Sequence, residues 1–255
     1  MKTNAMLSRL RSCIAKYSLI SDGDSVAVGL SGGKDSLAML RLLAAYRGFS
    51  PEKFSLRAVT IDLGFEGTDR SGMAALSDFC QSLGVPHDII PSDIGKIVFD
   101  IRKERNPCSL CAKLRRGAVN AAAKAAGANK VALAHHKDDL TETFMLSLLY
   151  EGRLSVFQPS TYLSRKDITV IRPMLHLSEA EISAYAASEN LPVLHNVCPA
   201  NHATAREEMK SLLRELDGRF PGAHGRIFGA VTTPERHNLM GFESWGESKD
   251  EEEAL

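Results

Sequence analysis

Residues 25–36 read SVAVGLSGGKDS, and this stretch decides the fold. Residues 25–30 are short, apolar and partly β-branched, which is typical of a buried strand. Residues 31–33 interrupt the apolar run, and residues 35–46 have the leucine spacing of a helix. Adjacent glycines allow backbone amides to approach a phosphate closely, and the amino terminus of the following helix adds a partial positive charge. The stretch therefore predicts a phosphate-binding strand, loop and helix.

The spacing of this loop distinguishes it from two other nucleotide-binding loops. Three residues separate Gly29 from Gly33, where a Walker loop has four, and Asp35 follows Lys34 where a Walker loop has Ser or Thr for magnesium. The glycines also lack the spacing of the dinucleotide-binding fingerprint. The alternative interpretation is a glycine-rich turn from strand to helix that binds no ligand.

Strand-like and helix-like segments alternate along much of the remaining chain. The pattern predicts strands at 56–62, 87–91, 130–134 and 169–172, and helices at 7–17, 72–83, 115–126 and 138–150. Such alternation is typical of an α/β fold with a Rossmann-like parallel sheet and helices on both faces. Because ligands of such sheets bind beyond the carboxyl ends of the strands, residues 31–36, Asp62 and residues 135–139 should line one crevice.

The length of 255 residues suits one large domain, or one domain with a small appendage. We predict an amino-terminal helix in 1–22, an α/β domain at 23–175 and a helical carboxyl-terminal extension at 176–240 that packs on the same domain. The extension has helix-like segments at 179–189 and 203–216. We expect the acidic tail at 241–255 to be disordered.

Composition restricts the classes of protein that fit. No apolar run approaches the roughly 18–20 residues that span a bilayer, and no secretory signal is visible at the amino terminus. Five cysteines, an odd number, fit a reducing compartment, so we expect a cytoplasmic protein with no membrane partner. The net charge of zero argues against a generic nucleic-acid coat protein.

One part of the chain is nevertheless basic. Between Lys96 and Lys130 the sequence has nine basic residues and only two acidic ones, Asp100 and Glu104. This local excess could bind a polyanion, or it could be an ordinary solvated helix face.

A CxxC motif, Cys108 and Cys111, lies just before the predicted helix at 115–126. Such a motif can be a redox pair, half of a zinc site or part of an iron–sulfur site. A structural zinc site needs four ligands, and the chain has no second CxxC.

The remaining cysteines separate into two kinds. Cys13 and Cys80 lie in predicted helices and fit buried apolar positions, whereas Cys198 is flanked by loop residues and is the natural third ligand. Three cysteines leave one iron of a cubane cluster without a protein ligand, so that this iron can bind hydrosulfide. Zinc with His195 or His202 as a fourth ligand is the alternative.

An acidic segment, residues 134–139 (AHHKDD), follows the strand predicted at 130–134 and opens a helix. Asp138 and Asp139 could simply cap this helix. An aspartate at this position could also bind magnesium or accept a proton. His136 fits a structural role equally well.

The loop resembles that of the PP-loop pyrophosphatases. SGGKDS at residues 31–36 matches their SGGxDS signature, and these enzymes cleave ATP between its α and β phosphates. The resemblance implies that the loop holds the pyrophosphate, with magnesium, while a substrate oxygen is adenylated. The implied ATP-binding residues are Gly29, Ser31, Gly32, Gly33, Lys34, Asp35, Ser36, Asp62 and His135.

Other stretches resemble the tRNA 2-thiocytidine synthetase family. Residues 108–117 (CSLCAKLRRG) match its CxxCxxLRRG stretch, residues 171–174 (IRPM) are similar to its IRPL stretch, and AHHKDD is similar to GHxxDD of sulfur-transferring relatives. The likeness runs from about Ser8 to about Val231. It implies an iron–sulfur-dependent tRNA thiolase that adenylates a pyrimidine carbonyl-type oxygen of tRNA and replaces it with sulfur. The family's product is a thiolated cytidine in the anticodon loop.

The resemblance also implies roles for single residues and partners. Cys108, Cys111 and Cys198 would hold a four-iron four-sulfur (4Fe-4S) cluster, and Asp138, Arg115 and Lys34 would act near the reacting phosphate. The implied partners are tRNA, a sulfur donor (hydrosulfide or a sulfur carrier) and a second copy of the chain. Three alternatives stand beside this interpretation. They are a cluster-free thiolase with a persulfide on Cys108, an amide-forming lysidine-type ligase with structural zinc, and a nucleotide sensor without turnover.

Overall fold

The computed structural model of the chain describes residues 3–65, 70–103, 107–194, 198, 205–233, 235 and 237. Its strands are β1 Ser25–Gly29, β2 Ser55–Asp62, β3 His87–Pro91, β4 Lys130–Ala132, β5 Ser160–Leu163 and β6 Ile168–Ile171. Its helices are α1 Thr3–Lys16, α2 Lys34–Arg47, α3 Arg70–Ser82, α4 Ile94–Lys96, α5 Pro107–Ala125, α6 Lys137–Glu151, α7 Glu179–Ser188, α8 Ala205–Arg219 and α9 Ala223–Thr232. A π-helical segment, Ile97–Arg102, follows α4 directly.

The sheet has the strand order β3-β2-β1-β4-β6-β5. β1 pairs in parallel with β2 on one side and with β4 on the other, so the strand order reverses at β1. The carboxyl end of β1 is therefore the switch point at which ligands of this class of sheet bind. This confirms the predicted Rossmann-like α/β fold.

The sheet is not parallel throughout, because β5 pairs antiparallel with β6. We expected only parallel strands, and the pattern did not reveal β5. β5 lies at the edge of the sheet, and its four residues are exposed or half-buried in turn. Its sequence therefore shows neither a continuous apolar run nor a clear alternation of apolar and polar residues.

The core explains why β1 is so apolar. Val26, Ala27 and Val28 are fully buried, since helices cover both faces of a parallel sheet. Ala27 belongs to a buried cluster that also includes Val131 of β4 and Val119 of α5. α5 is thereby packed against the strands that lead to the predicted site.

α5 begins eight residues earlier than the helix predicted at 115–126, so Cys108 and Cys111 lie in its first turns. Pro107 is its first residue, and a proline is tolerated there because the amide of that position has no partner within the helix. Cys108, Cys111 and Arg115 follow at spacings of three and four residues, which brings them to one face of the helix.

The chain forms two compact units. The first comprises Met1–Asp139 and Phe157–Ala203 and contains the whole sheet, and the second comprises Leu140–Val156 and Thr204–Leu255. None of the helices in the described ranges is both long and apolar enough to cross a membrane.

The predicted domain boundaries stay predictions. α7, which the sequence assigned to the carboxyl-terminal extension, is part of the first unit together with the sheet. The predicted tail at 241–255 lies outside the described residues.

Candidate nucleotide and sulfur site

The loop between β1 and α2 is held in shape by its own serines. The Ser36 hydroxyl accepts a hydrogen bond from the Ser31 amide (3.1 Å) and donates one to the Gly33 carbonyl (2.9 Å). Gly33 caps α2 in an extended conformation and provides no side-chain cap. Since the first amides of a helix lack partners within the helix, the amides at the start of α2 can bind an anion.

Gly29, at the end of β1, has a packing reason to be glycine. A Cβ added there would lie 3.3 Å from the Leu133 side chain and 3.6 Å from that of Val119. Its predicted role in ATP binding stays a prediction.

The loop between β1 and α2, called the phosphate loop below, contacts the segment that leads to Cys198. The Leu194 amide donates a hydrogen bond to the Gly32 carbonyl (2.9 Å), and a Cβ on Gly32 would lie 2.7 Å from the Leu194 side chain. Leu194 precedes Cys198 by four residues. The candidate nucleotide loop and the segment of the third candidate sulfur ligand are thus directly joined.

Gly32→Ala is expected to weaken ATP binding at least about tenfold. Gly32 has a φ of +79°, and the left-handed conformation costs an alanine roughly 1–2 kcal/mol before the conflict with Leu194 is added. Isothermal titration calorimetry with ATP measures the effect. Gly127→Ala is the matched control, because Gly127 has a φ of +77° with no atom within 4 Å of an added Cβ. Equal ATP affinities of Gly32→Ala and wild type would contradict the prediction.

Lys34 is held between two carboxylates. Its Nζ lies 3.0 Å from Asp35 Oδ1 and 3.2 Å from Glu179 Oε1. Burial alone would lower the pKa of Lys34, but Asp35 and Glu179 outweigh it and raise the pKa. The lysine is therefore cationic, as a phosphate ligand has to be.

Glu179 is a residue that the sequence did not single out as part of the site. It is the first residue of α7, whose start is fixed by a capping box between Ser178 and Glu181. The SxxE pattern that predicts this helix start was the available signal, but it does not tell that the helix faces the phosphate loop.

Asp138 and Asp139 have different surroundings. Asp138 Oδ2 accepts a hydrogen bond from the Glu179 amide (2.8 Å), so the positive end of α7 stabilises this carboxylate. Asp139 Oδ2 accepts from the His136 amide (3.0 Å) at the start of its own helix. The capping interpretation therefore describes Asp139, whereas Asp138 connects α6 to the group around Lys34.

His136 lies at the centre of the acidic residues and is only 5% exposed. Its ring nitrogens lie 3.6 Å from Asp138 Oδ2 and 3.4 Å from Asp139 Oδ2. Burial alone would lower the pKa of His136, but Asp138, Asp139 and Asp35 outweigh it and raise the pKa.

His136→Gln should therefore lower the melting temperature more at about pH 6 than at about pH 9. A histidine with a raised folded-state pKa stabilises fully below its unfolded value, and this contribution is lost as pH rises through the folded pKa. The measurement is thermal unfolding of variant and wild type at both pH values. His176→Gln is the control of opposite sign, because burial and the Lys16 charge lower the pKa of His176. A difference for His136→Gln that does not depend on pH would contradict the prediction.

The three candidate sulfur ligands, Cys108, Cys111 and Cys198, all belong to the first unit. Burial raises the pKa of the Cys111 thiol, the charge of Arg115 opposes the rise, and nearby Cys198 and Cys108 add to it. In the described part of the chain, the arrangement of side chains does not bring any three His, Cys, Asp or Glu residues close enough together to enclose a metal ion. The donor set is nevertheless all thiol, which suits an iron–sulfur cluster or zinc.

The two remaining cysteines, Cys13 and Cys80, lie in α1 and α3. Cys13 and Cys80 are fully buried, and burial raises the pKa of their thiols to about 12 and about 11. This confirms that they occupy apolar positions. His195 and His202, the alternative zinc ligands, lie outside the described residues.

Of the remaining predicted site residues, Asp62 and His135 come at or after the carboxyl ends of β2 and β4, whereas Arg115 lies on α5. Asp62 ends β2, and its Oδ1 accepts a hydrogen bond from the Gly64 amide (3.0 Å). His135 follows β4, with its ring centroid 4.9 Å from that of Phe157. Arg115 is exposed on α5. Glu179 thus contacts Lys34 with its side chain and Asp138 with its amide, and Asp35 contacts Lys34, while Asp62 bonds to its own loop.

A glycine-rich loop at the switch point of a mostly parallel sheet defines a nucleotide-binding α/β protein. A family model described as the PP-loop domain matches residues 3–213. The tRNA-cytidine(32) 2-sulfurtransferase of Dechloromonas aromatica is 35% identical over 225 residues, which cover 88% of this chain and 77% of that protein. The same-named protein of Tolumonas auensis is 36% identical over 252 residues, covering 94% of this chain and 82% of the relative. The chain therefore belongs to the PP-loop family, and within it to the tRNA-cytidine(32) 2-sulfurtransferases.

Solved structures agree with this membership. The U34-tRNA thiolase NcsA from Methanococcus maripaludis, solved with its [4Fe-4S] cluster, has a TM-score of 0.72 and 25% identity, covering 93% of this chain and 81% of that one. The NMN synthetase from Francisella tularensis, at a TM-score of 0.52 and 15% identity, covers 94% of this chain and 97% of its own and shares the fold alone.

Proposed function

We propose that this protein is an ATP-dependent tRNA sulfurtransferase that adenylates a carbonyl-type oxygen of a pyrimidine and replaces that oxygen with sulfur. The observation that carries the proposal is the contact between Gly32 of the phosphate loop and Leu194 of the segment leading to Cys198. Because this contact joins the loop to a residue four positions before Cys198, ATP chemistry and sulfur chemistry can act on one bound base.

We propose that the acceptor is the cytidine at position 32 of tRNA. The relatives at 35–36% identity are named for cytidine 32, whereas the thiolase at 25% identity is named for uridine 34. Both names describe a pyrimidine of tRNA, so the reaction class is the same in either case.

The phosphate loop would hold the pyrophosphate of ATP. The first amides of α2 bind its oxygens, and Lys34 exchanges its contacts with Asp35 and Glu179 for the phosphate. Asp35, released from Lys34, is a candidate ligand for magnesium. The pyrimidine oxygen attacks the α-phosphorus and pyrophosphate leaves, so that the base oxygen becomes part of a good leaving group, AMP.

Asp138 would accept the proton of the second step. Hydrosulfide supplies the electron pair for the new carbon–sulfur bond, AMP leaves with the former base oxygen, and the sulfur loses its proton as the C=S bond forms. The Glu179 amide and His136 orient the Asp138 carboxylate for this role. Cys108, Cys111 and Cys198 would hold the 4Fe-4S cluster, which when bound would supply a binding position for inorganic sulfur.

Nucleoside mass spectrometry of tRNA from a strain lacking this protein tests the proposal. We expect 2-thiocytidine to disappear and to return when the wild-type gene is restored. Loss of a thiolated uridine would instead assign the other acceptor. An unchanged profile of thiolated nucleosides would overturn the proposed function, and incorporation of an amine into RNA would favour the ligase alternative. The predicted homodimer stays a prediction.

A further inference from the structure

Arg172 is a buried cation that has no anionic partner among the described residues. It follows β6 directly, is 9% exposed, and forms no ion pair with a carboxylate of the described chain. The side-chain hydrogen bonds of Arg172 to described residues both come from Nη1, to the Gln158 carbonyl (2.5 Å) and the Thr161 hydroxyl (3.4 Å). Nε is buried and makes no hydrogen bond to the described residues.

Such an arrangement is unfavourable for the chain by itself. Buried arginines are almost always paired, because removing a charge from water is costly unless an opposite charge replaces the lost hydration. Carbonyl and hydroxyl partners orient the guanidinium but do not neutralise it. The charge of Arg172 therefore needs a partner from outside the described chain.

A second arginine makes this region more positive. Arg116 is exposed on α5, and its one side-chain hydrogen bond to a described residue runs from Nε to the Ala112 carbonyl. Burial, and then the charge of Arg116, lower the pKa of Arg172 to about 10. The two arginines are therefore near enough for the charge of Arg116 to disfavour the charge of Arg172.

Two aromatic rings connect Arg172 to the candidate site. Its guanidinium carbon lies 4.9 Å from the centre of the Phe157 ring, and that ring lies 4.9 Å from the ring of His135. His135 directly precedes His136, the neighbour of Asp138. Arg116 directly follows Arg115 on α5, the helix that also carries Cys108 and Cys111.

We propose that Arg116 and Arg172 bind a backbone phosphodiester of the acceptor RNA beside the Phe157–His135 ring pair. The inference rests on the proposed function, which requires an RNA base to reach Asp138. The forked guanidinium matches a phosphate oxygen pair, and aromatic rings are the surfaces on which unstacked RNA bases rest. The phosphate loop provides its own amides for ATP, so the arginine pair is left for a different phosphate.

The net charge of zero favours RNA binding by a few placed residues over a general electrostatic attraction of RNA to the whole protein. A protein without a large positive field has to obtain its affinity for RNA from a few placed cations. The arginine pair would fix the register of the RNA backbone and leave the base to be recognised elsewhere.

The salt dependence of RNA binding tests this inference. Fluorescence anisotropy with an unmodified tRNA transcript gives log K against log salt, and each phosphate contact contributes a slope of about 0.7–0.9. We expect Arg116→Gln to reduce the slope by about one such contact, to weaken RNA binding severalfold at low salt and to leave the KM for ATP unchanged. Lys124→Gln is the matched control on the same helix, because Lys124 is already paired with Asp167 at 2.6 Å.

The outcomes separate this inference from the proposed function. If wild type thiolates tRNA and Arg116→Gln keeps the wild-type salt slope, the arginine site is wrong and the function stands. If Arg116→Gln raised only the KM for ATP, the arginine pair would bind a phosphate of the nucleotide and not of RNA. This result would also overturn the inference. Wild type that neither binds nor thiolates tRNA would remove both.

Arg172→Lys adds a second measurement at the buried position. Lysine keeps the positive charge but lacks the forked guanidinium group of arginine, so we expect weaker RNA binding with an unchanged salt slope. Circular dichroism checks that this variant folds, and if it does not, the exposed Arg116→Gln decides the question.

Discussion

We expect Cys198→Ala to lose tRNA thiolation by more than about 100-fold and to lose the iron and acid-labile sulfide of the anaerobically reconstituted protein. Removing residues that merely support metal ligands costs about 10–100-fold, so removing a ligand should cost more. Cys108 and Cys111 lie on one helix and cannot enclose a cluster without a third thiol from another segment. ATP binding should persist, because the contact between Leu194 and Gly32 is independent of the Cys198 side chain.

Cys80→Ala is the control for this experiment. Cys80 is fully buried in α3, so its loss removes a packed sulfur and should leave iron, sulfide and thiolation at wild-type values. A Cys198→Ala protein with full iron content and activity would contradict the ligand assignment. A wild-type protein that thiolates tRNA without iron would favour the persulfide alternative at Cys108.

Asp138→Asn should lower the kcat of thiolation about 10²–10⁴-fold, the range for loss of a general acid or base. The asparagine oxygen can still accept the hydrogen bond from the Glu179 amide, so α7 and the contacts of Lys34 should stay in place. The charge and the basicity of the side chain are lost. Single-turnover kinetics with tRNA, together with calorimetry of ATP binding, separate the chemical step from nucleotide affinity.

Asp139→Asn is the matched control, with the same change one residue along the chain. Asp139 accepts a hydrogen bond from the His136 amide, and the amide oxygen of asparagine can do the same. We expect a loss of kcat below about tenfold for this variant. Equal losses for the two variants would show that the acidic cluster acts as one electrostatic unit and that Asp138 has no separate role.

The sequence was sufficient for the parts of the site that depend on local chemistry. Val26–Val28 is an apolar run too short for a buried helix, and Gly32 and Gly33 interrupt it where a phosphate can approach. The position of β3 was predicted to the residue, and α2 within one residue of each end. These features follow from side-chain polarity and glycine content, which act over a few residues.

The errors have physical reasons that also operate locally. α5 starts at Pro107 because a first-turn proline has no amide bond to lose, although proline usually argues against a helix. β5 was missed because an edge strand of four residues has too little buried surface to produce a pattern.

Which distant residues meet is decided by the tertiary structure. Glu179 reaches Lys34 and Asp138 only because α7 packs against α2 with its amino terminus toward the phosphate loop. Leu194 meets Gly32 for a similar reason, more than 160 residues away along the chain.

The sequence by itself therefore determined a PP-loop, an α/β fold and a set of thiols for sulfur chemistry, because each depends on residue type and short spacing. Only the tertiary structure decided that His136 lies among three aspartates and that Arg172 is buried with no carboxylate partner in the part of the chain that the structure describes. Burial and charge pairing are properties of neighbours in space, and no spacing along one chain encodes them.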